Sequence, residues 1–255
     1  MRTNQKLTPT SETAKKTLGL LDILSKGKRE WTAAEVAKEA NLPHSTAFRL
    51  LSTLEELRFI EYDAESRRYQ LGLKLLELGH LVSQRLDLPS RAMPFLKELA
   101  EESGETAHLS IRDGDCGVFI AKVDGEHSVR MHTPLGRRVP LHAGASMKSL
   151  MADLSDEEIS AYIAMRAQAG TPISDPGRLH EQVRFIREHG YCSTIAEQTP
   201  GAAGVGAPVR NHAGEVVAAL TISGPESRFT EENIQRFSAL VTRAAAGLSR
   251  RLGNV

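Results

Sequence analysis

The stretch Trp31-Thr-Ala-Ala-Glu-Val-Ala-Lys-Glu-Ala-Asn-Leu-Pro43, continuing as His44-Ser-Thr-Ala-Phe-Arg-Leu-Leu-Ser-Thr-Leu-Glu-Glu-Leu57, decides the fold of the first third of this chain. Thr32 and Glu35 stand at the spacing of a capping box, in which each side chain takes up a free backbone N–H at a helix start. Trp31 and Val36 flank that cap as a hydrophobic staple would, and Ala33, Val36, Ala37 and Ala40 recur at helical spacing. Asn41 suits a left-handed turn, Leu42 can fold back into a core, and Pro43 fits the first position of a second helix. In that helix Ala47, Leu50, Leu51, Leu54 and Leu57 share one face. Phe59-Ile-Glu-Tyr62 and Arg67-Arg-Tyr-Gln-Leu71 then read as two strands around the turn Asp63-Ala-Glu-Ser66. The pattern predicts a helix-turn-helix with a β-wing, a motif that sets a few side chains in the major groove of DNA.

The faces left outside this small core carry the candidate contacts. His44, Ser45, Thr46, Phe48, Arg49 and Ser52 lie on the second helix, and Arg67 and Arg68 on the wing. Hydroxyls and guanidinium groups near a helix start suit base edges and phosphates. The competing reading is a helical core with a solvated charged face, and for either wing arginine that reading is equally open.

Upstream, Ala14 to Ser25 reads as a first helix with Leu18, Leu21, Ile23 and Leu24 inward, behind a polar tail over residues 1–12. Downstream, Leu73 to Leu86 carries Leu75, Leu76, Leu78, Leu81 and Val82, as a helix joining two domains would, and Leu88-Pro-Ser90 reads as a break. A further helix runs from near Ser90 to Glu102, with Met93, Leu96 and Leu99 on one side. From residue 105 the period turns to alternation. Thr106–Ile111 and Gly117–Val123 flank an Asp-Gly hairpin signal, and Ser128–His132 reads as a third strand. Helices follow at 145–152, from the capping box Ser155/Glu158 to about Arg166, and from Asp175-Pro176 to Gly190. Strands at 191–195, 204–210 and 216–223 precede a long helix from Thr230 to about Arg251. The fold class expected is α+β. A winged helix-turn-helix at 13–72 and a linker helix at 73–88 precede an antiparallel sheet with helices on its faces at 89–255.

Composition narrows the function. The 255 residues carry 32 basic and 32 acidic side chains, but residues 1–85 hold 14 against 11 and residues 86–255 hold 18 against 21. Lys15, Lys16, Lys26, Lys28 and Arg29 flank the first helix, where local phosphate neutralisation counts for more than total charge. No apolar run approaches the roughly 18 residues of a membrane span, and the N-terminus has no apolar signal region. Cys116 and Cys192 lack metal or redox spacing, so a cytoplasmic protein with inert thiols is expected, with no metal and no cofactor. The sequence shows no Ser/His/Asp spacing, phosphate loop or zinc-protease motif. His142 reads as a structural histidine rather than a ligand, and no catalytic residue is assigned.

Taken in order, Leu42-Pro-His-Ser-Thr-Ala-Phe-Arg-Leu-Leu51, Arg68-Tyr-Gln-Leu-Gly-Leu73, Gly136-Arg-Arg-Val-Pro-Leu-His-Ala143, His189-Gly-Tyr191, Gly206-Ala-Pro-Val209 and Leu220-Thr-Ile-Ser-Gly-Pro225 resemble the IclR family of bacterial transcription regulators over residues 14 to about 251. The resemblance implies a winged helix-turn-helix, a linker helix and a GAF-like effector-binding domain. It also implies a homodimer, often a dimer of dimers, that binds double-stranded operator DNA. A small carboxylate effector would sit against the sheet. Carried across residue by residue, Met131 and Val139 would be apolar walls, Ala145 and Ser146 would offer N–H groups at a helix start, and Thr221 and Ser223 would supply hydroxyls. Two positions depart from the family: Thr194 stands where many members have an acid, and Gly204 where many have cysteine. Met147-Lys148 replaces the family's Gly-Lys. These departures predict a wider, less polar pocket and an aromatic or branched carboxylate. The reading that follows is a ligand-responsive regulator. A constitutive DNA-binding regulator and an enzyme that uses its helix-turn-helix for protein contacts are the alternatives.

Overall fold

A computed structural model describes residues 10–26, 28, 30–85 and 87–254, without the side chains of 80, 82–85 and 87. The tail over 1–9, and Arg29 and Leu86, lie outside the described residues, as does the side chain of Val82. The chain divides into two compact units, Met1–Leu86 and Asp87–Val255.

The first unit contains α1 (Glu12–Leu24), α2 (Ala33–Glu39), α3 (His44–Glu56), the hairpin β1 (Ile60–Asp63) and β2 (Arg68–Leu71), and α4 (Leu73–Arg85). Ser11 caps α1, which begins two residues before the expected start. The capping box of α2 is complete: the Thr32 hydroxyl accepts from Glu35 N and the Glu35 carboxylate from Thr32 N. Asn41 takes the left-handed conformation, φ 51°. Pro43 stands as the N-cap of α3, one residue before the expected helical position. Leu20, Leu24, Trp31, Val36, Leu51, Leu54, Ile60 and Tyr69 form the core. Leu57, expected on the inward face, caps the end of α3 and is exposed, because the chain turns away at Arg58 with φ 62°.

The second unit is built on a six-stranded antiparallel sheet, order β5-β4-β3-β8-β7-β6. Its strands are β3 (Thr106–Asp113), β4 (Cys116–Val123), β5 (Arg138–Pro140), β6 (Cys192–Ile195), β7 (Ala202–Arg210) and β8 (Val216–Pro225). Alternation gives the sheet two faces. Ala107, Leu109, Val205, Ala207, Leu220 and Ile222 pack against α5 (Asp87–Ser103) and α9 (Glu231–Arg251), whose Leu96, Leu99, Phe237 and Val241 complete the larger core. The opposite face meets α6 (Ala145–Ser149), with α7 (Asp156–Gln168) and α8 (Pro176–His189) around Leu141, Met147, Leu150, Ile159 and Val183.

Leu18, expected inward on α1, is exposed, and three expectations about elements need correction. Ser128–His132 is not a strand: the backbone oxygens of Val129 and Met131 accept from the Arg228 guanidinium (2.9 Å) and the Thr106 hydroxyl (3.4 Å), not from a neighbouring strand. The short strand beside β4 is β5 instead, pairing Val139 with Gly117. Leu88-Pro-Ser90 is no break, since it lies in the first turn of α5, where a proline costs no hydrogen bond. The helix expected over 145–152 closes at Ser149 and continues as turns.

Candidate DNA interface and effector cavity

On α3, Ala47, Leu51 and Leu54 are buried, which turns His44, Ser45, Phe48 and Arg49 outward to exposed positions with Thr46 and Ser52 half-buried. Phe48 is 50% exposed, a large apolar surface beside the guanidinium of Arg49 in sequence. The wing is tied to the start of α2. Trp31 and Tyr69 exchange backbone hydrogen bonds of 2.9 and 2.7 Å. Glu35 pairs with Lys28 at 2.6 Å and with Arg68 at 3.8 Å. The Lys28 ammonium and the Thr32 amide hold the Glu35 carboxyl at about 2. Arg68 is therefore partly engaged within the unit. Arg67 sits exposed at the tip, in the left-handed region at φ 55°.

The second unit holds a cavity of about 50 Å³ between the sheet and the start of α6. Met131, Ala145, Ser146, Thr194, Gly204, Thr221 and Ser223 all line it. Val139 does not: it is 3% exposed and packs with Phe119, Leu141 and Met147 in the smaller core. Two groups at the start of α6, the Ala145 amide and the Ser146 hydroxyl, are already engaged. Ala145 N–H donates to the Thr194 hydroxyl at 3.0 Å, and the Ser146 hydroxyl shares a hydrogen bond of 2.7 Å with Ser110. Gly206 lets α6 approach, since a Cβ there would stand 3.0 Å from the Ala145 carbonyl oxygen and 3.0 Å from the Thr221 hydroxyl.

Sequence reasoning missed His108 and Arg137, which also line this cavity. His108 is 1% exposed on β3, paired in register with Thr221 on β8. Its Nδ1 shares a hydrogen bond of 3.1 Å with the Ser223 hydroxyl, and its ring meets Phe119 edge-on at 5.2 Å. Burial, with a smaller push from the Lys122 ammonium, lowers the imidazole to about 4, so it is neutral at pH 7. Its Nε2 and the Thr221 hydroxyl are both buried with no hydrogen-bond partner. A register shift between Leu109 and Ser110 sets Ser110 opposite Phe119, which brings that ring to the cavity face. The alternation of Thr106, His108 and Ser110 against buried Ala107 and Leu109 was the available signal: three polar side chains on one face of a central strand need partners. Arg137 is exposed at the rim, and among the described residues its guanidinium makes no hydrogen bond or ion pair.

His142 and Lys148 lie elsewhere, on a second hollow of about 350 Å³. The His142 ring shares a hydrogen bond of 2.8 Å with the Tyr162 hydroxyl. The buried Lys148 ammonium is held by Glu197 and Gln182. Burial pushes the Cys192 thiol to about 12 and raises that of Cys116. Among the described residues no group of His, Cys, Asp and Glu could hold a metal, and no helix is long and apolar enough to cross a membrane.

Two family descriptions match the chain: an IclR helix-turn-helix domain over residues 13–64 and a bacterial transcriptional regulator IclR C-terminal domain over 80–250. The HTH-type transcriptional regulator KipR of Bacillus subtilis is 36% identical over 95% of this chain and 98% of its own. The crystal structure of the Thermotoga maritima IclR superposes with a TM-score of 0.74 at 34% identity, covering 94% of this chain and 98% of that one. An IclR homolog from Microbacterium hydrocarbonoxydans, solved in complex with 4-hydroxybenzoate, shares the fold at a TM-score of 0.78 and 23% identity, covering 94% of this chain and 99% of that one.

Proposed function

This chain belongs to the IclR family of bacterial transcriptional regulators, and we propose on that footing that a small organic acid, bound in the cavity of its second unit, controls how it binds operator DNA. It is a transcriptional regulator with a helix-turn-helix DNA-binding domain; its relatives carry the names of regulators and repressors, which are not enzymes. What carries the ligand reading is the cavity itself, a mostly apolar space with a few convergent polar groups, set on a sheet whose other face is solid core. The 4-hydroxybenzoate held by the Microbacterium protein supports the same class of ligand. A volume of about 50 Å³ has room for roughly three to five water-sized bodies, so a small acid fits as the walls stand. An aromatic acid needs the rim at Met131, Gln198 and Thr199 to give way.

On DNA, α3 lies in the major groove, with Ser45, Thr46 and Arg49 at base edges and phosphates, His44, Phe48 and Ser52 beside them, and Arg67 and Arg68 at the flanking backbone. The protein works in the cytoplasm as a homodimer that pairs further into a dimer of dimers. Leu73, Leu76 and Leu81 leave α4 with an exposed apolar side that a second copy would cover. Arg49→Ala is expected to weaken specific binding by about 1–3 kcal/mol. Unchanged operator affinity would remove Arg49 from the interface.

The deciding experiment is a mobility shift at fixed salt, using DNA from upstream of the chain's own gene, with and without a panel of carboxylates. A specific shift altered by one acid supports the reading. A specific shift indifferent to every acid supports a constitutive regulator instead, which the internal hydrogen bonds of Ala145 and Ser146 favour.

A further inference from the structure

The cavity makes two separate demands on whatever fills it. At its floor are two buried polar atoms with no partner, His108 Nε2 and Thr221 Oγ1, on residues 1% and 3% exposed. A buried polar atom left without a partner is costly, so a ligand that satisfies these two is favoured over one that does not. The floor carries no formal charge, because the imidazole is neutral at pH 7 and its other nitrogen is engaged by Ser223. At the rim stands the Arg137 guanidinium, a permanent cation lining the same space. A carboxylate driven to the floor would be desolvated beside neutral groups, while at the rim it would meet a full charge and keep part of its water. The start of α6, the other place for an anion, has its first amide and the Ser146 hydroxyl already engaged.

We infer that this cavity selects acids carrying a second oxygen: the carboxylate sits at Arg137, and a hydroxyl or carbonyl oxygen reaches His108 and Thr221. The inference rests on the ligand reading given above and deepens it. Both tautomers of a neutral imidazole read an oxygen, through different partners. If Ser223 donates to Nδ1, then Nε2 carries the proton and donates to a carbonyl or hydroxyl oxygen. If Nδ1 donates to Ser223, Nε2 is a bare acceptor and takes a hydroxyl proton. The Thr221 hydroxyl completes either pair, because it both donates and accepts.

The test is calorimetric titration of the full-length protein with two matched pairs, 4-hydroxybenzoate against benzoate and 2-hydroxybutyrate against butyrate. 2-Oxobutyrate is added to separate the tautomers. At least one pair should bind, with the oxygenated acid about tenfold tighter or more than its partner, the factor that one hydrogen bond of roughly 1.4 kcal/mol provides. His108→Leu and Thr221→Val should bring the affinity ratio within each pair to near one. His108→Gln and Thr221→Ser, which keep a polar atom, should restore part of the preference, and this guards against a variant that only misfolds. Arg137→Gln should weaken both members of a pair by the same factor. Equal affinities within each pair, or a preference that survives His108→Leu in a protein of normal melting temperature, overturn the inference and leave the ligand reading standing. If no acid of the panel binds the wild-type protein, both are overturned.

Discussion

At the scale of single residues, His108 ties the cavity to stability. Its imidazole titrates near 4 in the folded chain against 6.5 for the ordinary group, because burial penalises the charged form. The sign follows from which state holds more protons. Above pH 6.5 neither state is charged and nothing is lost. As pH falls from 6.5 to 4 the unfolded chain takes up a proton that the folded one refuses, and stability declines. Below 4 both are charged and the loss levels off at about 3 kcal/mol. His108→Phe removes the proton while keeping a flat ring. Urea unfolding between pH 7 and 4 should show a shallower fall for the variant than for the wild type, and parallel curves would dismiss this account. His108 is legible in principle: its alternation with Ala107 and Leu109 makes a strand, and a polar face on a central strand must meet partners. Arg137 gave no such signal, since an exposed arginine near a glycine turn is usual on any surface.

At the scale of elements, glycines on β7 set how closely α6 lies on the sheet. A Cβ on Gly206 would crowd the Ala145 carbonyl at 3.0 Å, which is backbone and cannot swing aside. A Cβ on Gly204 meets Ile222 O at 3.4 Å and the Ala145 methyl at 3.8 Å, which are ordinary contacts. Gly206→Ala should therefore lower stability by about 1–3 kcal/mol, and Gly204→Ala should leave it nearly unchanged while taking space from the cavity. Thermal melting of the two variants checks the contrast, and equal losses would count against it. The helices were legible because their ends carry local chemistry: Thr32 with Glu35, Ser155 with Glu158, Asp175 before Pro176, and Gly190 in the left-handed conformation at φ 80°. The misread stretch 128–132 alternates as a strand does, yet its carbonyls are met by side chains from β3 and from the turn after β8, distant in sequence. Strand β5, three residues long and ending in Pro140, is too short for periodicity to reveal. The same limit hid the cavity, whose walls come from six separate stretches of chain that only the sheet order brings together.

At the scale of the whole molecule, the two units have separate cores, one around Trp31 and Leu51 and the others around the six-stranded sheet. Scanning calorimetry should resolve two transitions. Thr32→Ala, which removes the cap of α2, should cost about 1 kcal/mol and shift one transition. Glu105→Ala should cost about 3 kcal/mol and shift only the other, because it leaves the Arg228 guanidinium without the buried carboxylate that it grips at 2.8 Å and by a second contact. A single transition moved by both substitutions would show the units to be coupled. The shared grip of Glu35 on Lys28 and Arg68, with the Trp31–Tyr69 bridge beside it, has a meaning for how information leaves the protein. The wing is lashed to the start of α2, and α2, α3 and the wing share one core through Val36, Leu51, Leu54, Ile60 and Tyr69, so the separation of recognition helix and wing is a constant of the reader. A chemical message arriving there can only carry the pair as one piece, like the legs of a pair of dividers opened on a chart. If two copies pair and a ligand controls them as proposed, what can vary is the interval stepped off between one copy and the next, and the vocabulary of the answer is base pairs between half-sites.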